Sequence, residues 1–244
     1  MIALHGGGEF LPGDEAFLRA LLDAAPRTDG VVRAAVVPTA AARGRPELTG
    51  ATGIAALTRV GQDVGVPVQA EAVAVIDAAS AADPRLAAVL ARADVIHVPG
   101  GDPDLIPALY PGTAVLAALR AALGRGAVLA GASAGAMALG SWTWTPSGGV
   151  TGLGLVPGVL VVPHAEERSW ADNVRRFGAS VPAGLGVLGL SERTGVVVPT
   201  GDAASGAPWR VVGEAEIRWL PPGTRSLAAT IVVPAGDAFL PWAA

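Results

Sequence analysis

The chain has 244 residues and a net charge of −4, with 51% hydrophobic and 16% charged residues. This composition supplies a sizeable core and is unlike that of disordered chains, but length alone does not separate one α/β domain from two. The absence of cysteine excludes disulfides and thiolate chemistry, and the 17 basic residues, all arginine, are scattered, which argues against a nucleic-acid partner.

The N-terminal segment gives no sign of a targeting signal. Met1–Phe10 has no basic n-region, and its apolar run is too short for a signal peptide. Apolar runs elsewhere are broken by Gly and Pro and fall short of the ~20 residues that a membrane helix needs. We therefore expect a cytoplasmic protein with no membrane partner.

Short β-rich runs alternate with longer segments of helical period as far as residue 177. The predicted strands are Ile2–His5, Val31–Pro38, Val66–Ile76, Val95–Pro99, Ala127–Gly131 and Leu160–Pro163. The predicted helices are Glu15–Ala25, Glu47–Val64, Ala82–Ala93, Ala114–Leu123 and Glu167–Phe177. Strands such as Val31–Pro38 and Ala127–Gly131 are apolar almost throughout, which is typical of a parallel sheet covered on both faces. The alternation predicts a doubly wound α/β fold, a mostly parallel sheet sandwiched by helices.

The C-terminal part consists of strand-like runs separated by turn signals such as Thr-Gly-Asp and Pro-Pro-Gly. These runs are Gly186–Leu190, Gly195–Pro199, Trp209–Val212, Glu216–Leu220 and Leu227–Val233. We interpret them as antiparallel extensions of the same sheet. No repeat or linker marks a boundary, so we expect a single domain over residues 1–244.

The strongest local motif is an apolar strand followed by Gly131-Ala-Ser133-Ala-Gly135 and a helix of small residues. A nucleophile on a sharp strand-to-helix turn has strained backbone geometry, and glycines two residues to either side leave room for it. The N-terminus of the following helix offers free N–H groups to a developing oxyanion. The motif predicts a nucleophilic Ser133, although a chain with 33 glycines also produces such patterns by chance.

A serine nucleophile needs a base, and the chain has three histidines, His5, His97 and His164, each at the end of a predicted strand. Position alone does not choose among them. No Asp or Glu lies between Ser133 and His164, so a base at His164 excludes the order serine, acid, histidine of α/β-hydrolases. The candidate acids after His164 include Glu166, Glu167, Asp172, Glu192 and Asp202.

Glu192 differs from the other candidate acids because it ends an apolar strand, where a carboxylate needs a partner. Glu166 and Glu167 open a predicted helix, whose dipole favours carboxylates without any catalytic role.

Five short motifs follow one another along the chain. They are Gly6–Gly8, Pro99–Asp102, Gly131–Ala136, Pro163-His164 with Arg168, and Gly189–Thr194. In this order and spacing they resemble the peptidase E/cyanophycinase family of serine peptidases, from about residue 2 to about residue 200. The resemblance implies a flavodoxin-like fold similar to class I glutamine amidotransferases, with serine where those enzymes carry cysteine.

The resemblance also implies roles for individual residues. Ser133 would be the nucleophile, His164 the general base and Glu192 the orienting acid. The backbone N–H groups of Gly101 and Ala134 would bind the oxyanion. The substrate-binding residues would be Arg168, which suits a carboxylate, and Asp102.

The sequence departs from the family pattern at four positions. Pro103 stands where cyanophycinase-like members carry Gln, Ser191 and Gly195 replace Asp and Ala of the acid motif, and Ala165 replaces an aromatic residue after the histidine. These changes leave the three triad positions intact. They bear instead on which substrate the protein accepts.

We therefore expect a serine peptidase that hydrolyses small peptides, such as N-terminal Asp dipeptides or β-aspartyl-arginine links. The alternatives are a non-catalytic binding protein on the same fold and a serine esterase or amidase for small non-peptide substrates. With three separated histidines we expect no metal site, and we expect no cofactor. A homodimer is compatible with the sequence.

Three further features have ordinary structural interpretations. The glycines at Gly6–Gly8 lack the lysine of a phosphate-binding loop and indicate a tight crossing at the sheet edge. Trp142 and Trp144 alternate after the nucleophile helix, and such pairs cover a sheet more often than they line a pocket. Arg175-Arg176 is typical of a solvated helix face, from which one of the two can reach the site.

Overall fold

The structure, a computed structural model, describes residues 1–27, 29–178, 180–200 and 206–242. The strands are β1 Ile2–His5, β2 Val32–Val36, β3 Val68–Ala72, β4 Val95–Val98, β5 Val128–Ala132, β6 Trp142–Thr145, β7 Gly148–Thr151, β8 Val159–Val162, β9 Gly186–Leu190, β10 Thr194–Val198, β11 Trp209–Gly213, β12 Glu216–Leu220, β13 Ile231–Pro234 and β14 Ala238–Phe239. The α-helices are α1 Glu15–Ala24, α2 Pro46–Asp63, α3 Ala78–Ala82, α4 Pro84–Arg92, α5 Leu105–Leu109, α6 Ala114–Gly124, α7 Ala134–Leu139 and α8 Glu167–Phe177.

The main sheet has eight strands in the order β14-β11-β10-β1-β5-β4-β2-β3. The five strands from β1 to β3 in this order are parallel, and β10, β11 and β14 extend the sheet antiparallel. This arrangement confirms the predicted α/β fold with a mostly parallel sheet and antiparallel C-terminal strands. The carboxyl ends of β1, β4 and β5 meet at one edge, where open α/β sheets bind their ligands.

A second sheet corrects the expectation that all later strands extend the first one. It has four strands in the order β13-β12-β9-β8. The predicted strands Leu160–Pro163, Gly186–Leu190 and Glu216–Leu220 belong to this sheet, where β8 and β9 pair in parallel. Leu160–Pro163 and Gly186–Leu190 are apolar runs that suit either sheet, so their pattern does not reveal which neighbours they pair with.

The sheets and helices form alternating layers around three apolar clusters. One face of the main sheet packs against α1 and α2. The other face packs against α4, α6 and α7 and against the inner face of the second sheet. The outer face of the second sheet is covered by α8 through Trp170 and Val174. Within the described residues, none of the helices has both the length and the apolar character needed to cross a bilayer.

Two local predictions need correction, and some elements were not predicted. The helix predicted over Ala82–Ala93 begins only at Pro84 as α4, because Asp83 caps its N-terminus and separates it from α3. The strand predicted over Leu227–Val233 begins only at Ile231, after a short 3₁₀ helix at Leu227–Ala229. The predicted elements did not include α3, α5 or the β6–β7 hairpin.

Small residues let α7 lie directly against the ends of β4 and β5. A Cβ atom on Gly135 would lie 2.1 Å from the Val98 carbonyl oxygen, which is backbone and has no freedom to rotate away. A Cβ atom on Gly131 would lie 2.7 Å from the Gly135 carbonyl carbon. The glycines of the Ser133 motif are therefore required by backbone packing.

Two histidines at the carboxyl ends of β1 and β4 are fully buried. The His5 Nε2 atom lies 3.0 Å from the Asp14 Oδ1 atom. His97 stacks on Phe10 with ring centroids 4.7 Å apart, and neither of its ring nitrogens has a hydrogen-bond partner among the described residues. Burial lowers the pKa of His97 to about 4, against opposing effects of the Glu9 and Asp14 charges and with a further lowering by His5.

We predict that Gly135→Ala destabilises the fold by about 1–3 kcal/mol, because the added methyl group overpacks α7 against β4. Gly124→Ala is the matched control. Gly124 also lies in a helix, but a Cβ atom there would meet nothing within 4 Å. Urea unfolding followed by circular dichroism would measure both variants. Equal unfolding midpoints for the two variants would contradict this account of the motif.

We predict that His97→Leu reduces the loss of stability at low pH. The unfolded chain protonates His97 below its ordinary pKa of 6.5, whereas the folded chain protonates it only at a pH of about 4. The stabilising effect of the neutral buried ring is therefore complete above 6.5 and declines as the pH falls toward about 4. Between about pH 7.5 and about pH 5, the wild type should lose about 2 kcal/mol more unfolding free energy than His97→Leu. Urea titrations at both pH values test this, and parallel losses would refute it.

Candidate active site

Ser133 occupies the turn between β5 and α7 with a left-handed backbone. Its φ is 48°, which a residue other than glycine adopts only when the surrounding structure enforces it. The Ser133 N–H group donates to the His5 carbonyl at the end of β1, with 2.9 Å between the atoms. The strained turn predicted from the sequence is therefore present, and a backbone hydrogen bond holds it.

His164 follows β8 and faces Ser133. The His164 Nε2 atom lies 3.1 Å from the Ser133 Oγ atom. Its φ is 49°, and its N–H group donates to the Gly6 carbonyl at 2.9 Å. The side chain passes so close to Gly7 that a Cβ atom there would lie 2.3 Å from the His164 Cε1 atom. The glycines after β1 thus make room for the imidazole, which refines their interpretation as a tight crossing.

Glu192 follows β9 and completes a line of three polar side chains. The Glu192 Oε1 atom lies 2.9 Å from the His164 Nδ1 atom. Both side chains are open to solvent, with exposed fractions of 48% for His164 and 45% for Glu192. The next residue, Arg193, has a φ of 52°, and its N–H group donates to the Gly7 carbonyl at 2.8 Å.

The other candidate acids that the structure describes have no hydrogen bond to His164. One of them binds a backbone N–H group instead. The Glu166 Oε1 atom accepts the Glu192 N–H group at 3.0 Å. Burial opposes the ionisation of Glu166, but this hydrogen bond, its own backbone N–H group and nearby His164 outweigh burial and lower its pKa. Asp172 pairs with Arg175 at 3.0 Å. Glu167 is exposed at the start of α8, and Asp202 lies outside the described residues.

The loop after β4 runs beside Ser133 and carries one of the predicted oxyanion donors. Among the described residues, neither the Gly101 nor the Ala134 N–H group has an acceptor. Gly101 has a φ of 144°, and a Cβ atom there would lie 2.2 Å from the Ala40 carbonyl oxygen, so only glycine fits. The amides on either side of Gly101 are both bonded, Gly100 to the Glu9 Oε1 atom at 2.7 Å and Asp102 to the Ala40 carbonyl at 2.7 Å.

A cavity of about 430 Å³ opens beside His164. The β6–β7 hairpin contributes Trp144 and Pro146 to its wall, and α8 contributes Ser169, Asn173 and Arg176. The remaining lining residues are Pro103, Met137, Thr145, Leu160, Val161, Val162 and Pro163. An apolar wall with a few polar groups is typical of a small-molecule site.

The two predicted substrate-binding residues do not line this cavity. Arg168 is exposed on α8 away from the lining. The Asp102 carboxylate binds the Arg43 guanidinium at 2.6 Å and accepts the Asp104 N–H group at 2.9 Å. Arg176 takes the place beside the cavity that Arg168 does not occupy.

Sequence reasoning missed or only touched on four residues of this region. Trp144 lines the cavity, while Trp142 packs against the apolar cluster under α8. One tryptophan thus lines a pocket and the other covers a sheet. Arg176 is the member of the arginine pair that reaches the site. Glu9 and Glu166 bond backbone amides beside the site, and the sequence carries no motif that identifies them.

Comparison with known proteins gives a family and a fold. The model of peptidase family S51 matches residues 2–205. A crystal structure of a peptidase from an acI-B1 Actinobacterium superposes with a TM-score of 0.75 at 24% identity, covering 98% of this chain and 96% of the other. A second crystal structure, named "Putative Peptidase E Protein from Listeria monocytogenes EGD-e", has a TM-score of 0.56 at 14% identity and covers 80% of this chain and 92% of the other.

Among curated proteins, none matches this sequence. The two structural relatives are similar in fold. The family model covers most of the chain and includes all five of the motifs described above. The chain therefore belongs to peptidase family S51, a family of serine peptidases.

Proposed function

We propose that this peptidase hydrolyses small peptides with Ser133 as nucleophile, His164 as general base and Glu192 as orienting acid. The observation that carries the proposal is the continuous line of contacts from Ser133 Oγ through the two His164 ring nitrogens to Glu192 Oε1, beside a cavity of about 430 Å³. A nucleophile bonded to a base that a third group orients is the arrangement nucleophilic catalysis requires.

Proton transfer follows from the tautomer that Glu192 selects. An ionised carboxylate only accepts hydrogen bonds, so the His164 Nδ1 atom donates to it and Nε2 is left as an acceptor for the Ser133 hydroxyl proton. As Ser133 Oγ bonds to the carbonyl carbon of the substrate, Nε2 takes the proton. The imidazolium then protonates the departing amine, and a water molecule activated by His164 releases the acyl group.

The carbonyl oxygen of the substrate gains negative charge during this attack. The Gly101 and Ala134 N–H groups have no acceptor among the described residues and suit that oxygen. Removal of one such donor typically costs about 3–4 kcal/mol of transition-state stabilisation.

The cavity favours a small substrate with a negative group. Its volume of about 430 Å³ is that of a site for a short peptide. Arg176 supplies a guanidinium that can hold a carboxylate in a bidentate pair, as in an N-terminal Asp dipeptide or a β-aspartyl link. We assign to Arg176 the role that family resemblance gave to Arg168.

We predict that Ser133→Ala lowers kcat by roughly 10⁴–10⁶-fold and that Glu192→Gln lowers it by roughly 10²–10⁴-fold. The glutamine keeps the shape but no longer selects the tautomer. A panel of Asp-X dipeptides, other dipeptides, β-Asp-Arg and an activated ester, read by mass spectrometry, would measure this.

Glu167→Gln is the control, since it removes a carboxylate from the start of α8 and should keep wild-type activity. Full activity of Ser133→Ala would overturn the proposed nucleophile. Turnover of the ester alone would identify an esterase instead of a peptidase.

We predict that Arg176→Gln raises KM for Asp-X dipeptides by about tenfold or more, because a charge-assisted pair is lost, and leaves Ala-X dipeptides nearly unchanged. Arg175→Gln is the matched control, since Arg175 pairs with Asp172 outside the cavity. Arg168→Gln distinguishes the two assignments. A selective loss in Arg168→Gln with none in Arg176→Gln would contradict the role given to Arg176.

A further inference from the structure

Glu9 reaches the loop that carries the Gly101 amide. The Glu9 Oε1 atom accepts the Gly100 N–H group at 2.7 Å. A Cβ atom on Gly100 would lie 3.0 Å from Glu9 Oε1 and 2.8 Å from the Ser133 Cβ atom. The carboxylate of Glu9 and the side chain of Ser133 therefore approach Gly100 together, although the two residues are far apart in the sequence.

The hydrogen bonds of this loop single out the Gly101 amide. Gly100 on one side donates to Glu9, and Asp102 on the other side donates to the Ala40 carbonyl at 2.7 Å. Gly101 between them has no acceptor among the described residues. An oxyanion donor is effective only if its orientation is fixed before the reaction. Two anchored neighbours fix the peptide plane that carries the Gly101 N–H group.

The segment that carries Glu9 is itself anchored on both sides. The Gly7 carbonyl accepts the Arg193 N–H group at 2.8 Å. The Phe10 N–H group donates to the Asp14 Oδ2 atom at 2.8 Å, and the other oxygen of Asp14 contacts buried His5. Glu9 is thus held in place by buried residues, and its carboxylate in turn fixes Gly100 through the hydrogen bond from the Gly100 N–H group.

We propose that Glu9 is a positioning residue that fixes the oxyanion loop through its acceptor oxygen, an inference that rests on the proposed roles of Ser133 and Gly101. The negative charge of Glu9 opposes the negative charge that develops on the substrate oxygen nearby. What Glu9 contributes is therefore the hydrogen-bond acceptor, and a neutral acceptor in the same place performs the same task.

The test compares Glu9→Gln, which keeps an acceptor oxygen, with Glu9→Leu, which keeps the bulk and loses the acceptor. The first readout is the rate at which a fluorophosphonate probe labels Ser133. In this reaction the serine oxygen bonds to phosphorus, fluoride leaves, and the phosphoryl oxygen takes the place of the oxyanion. The second readout is the separate effect on kcat and KM for the best dipeptide of the panel.

We expect Glu9→Leu to label about tenfold or more slowly and to lose kcat with little change in KM, because the donor acts mainly in the transition state. Glu9→Gln should stay within about threefold of the wild type in both readouts. Glu47→Leu, which removes an exposed glutamate from α2, should label at the wild-type rate. Urea midpoints of all variants show whether they fold.

Wild-type labelling of Glu9→Leu would overturn the inference, and so would a Glu9→Gln variant as slow as Glu9→Leu. If Glu9→Leu fails to fold, Glu9→Gln with Glu9→Ala repeats the comparison with less bulk. Ser133→Ala keeps the two proposals apart. Labelling that persists in Ser133→Ala overturns the proposed nucleophile, whereas labelling that depends on Ser133 but not on Glu9 overturns only the positioning role.

Discussion

Three consecutive carbonyl groups, beginning at the last residue of β1, hold the three backbone turns of the candidate triad. The carbonyls of His5, Gly6 and Gly7 accept the N–H groups of Ser133, His164 and Arg193, respectively, at 2.8–2.9 Å. The three donors come from three distant parts of the chain, and each has a positive φ between 48° and 52°. One short segment thus aligns the turn of the nucleophile, the turn of the base and the turn that follows the acid.

This constraint explains why the segment after β1 consists of glycine. A Cβ atom on Gly6 would lie 2.0 Å from the Ser191 carbonyl oxygen, and one on Gly7 would meet the imidazole of His164. Side chains at these positions would displace the neighbouring residues and break the hydrogen bonds that the carbonyls accept. The rigidity of the site therefore comes from backbone contacts beneath it, since His164 and Glu192 themselves remain about half exposed. Such an open site gives water access to the acyl group that the proposed mechanism must hydrolyse.

The sequence predicted the parts of this arrangement that depend on local signals. Ser133 follows an apolar strand with glycines on both sides, and His164 and Glu192 end strands of their own. These signals are informative because a reactive side chain at the edge of a sheet comes directly after a buried, apolar strand. The division into two sheets was not predictable in this way, because β8 and β9 have the same apolar pattern as strands of the main sheet.

The positions of the arginines on α8 show the same limit of prediction from the sequence. Trp170 and Val174 define the buried face of the helix. The stripe at Ser169, Asn173 and Arg176, spaced i, i+4, i+7, lies next to that face and lines the cavity, whereas Arg168 falls on another side. The helical period separates the two arginines, but only the packing of α8 on the second sheet determines which stripe meets the cavity.

Carboxylates hold the parts of the site that the β1 carbonyls do not reach. Glu9 fastens the amide before Gly101, and Glu166 fastens the amide of Glu192. Left-handed backbone at a residue other than glycine costs on the order of 1–3 kcal/mol, and Ser133, His164 and Arg193 all carry it. Such turns persist only where neighbouring groups enforce them. Here the carbonyls at and after the end of β1 hold the three turns, and the two carboxylates hold the neighbouring backbone amides. Glu9 and Glu166 therefore hold backbone amides beside Ser133, and among the described residues Glu192 is the one whose carboxylate contacts the imidazole.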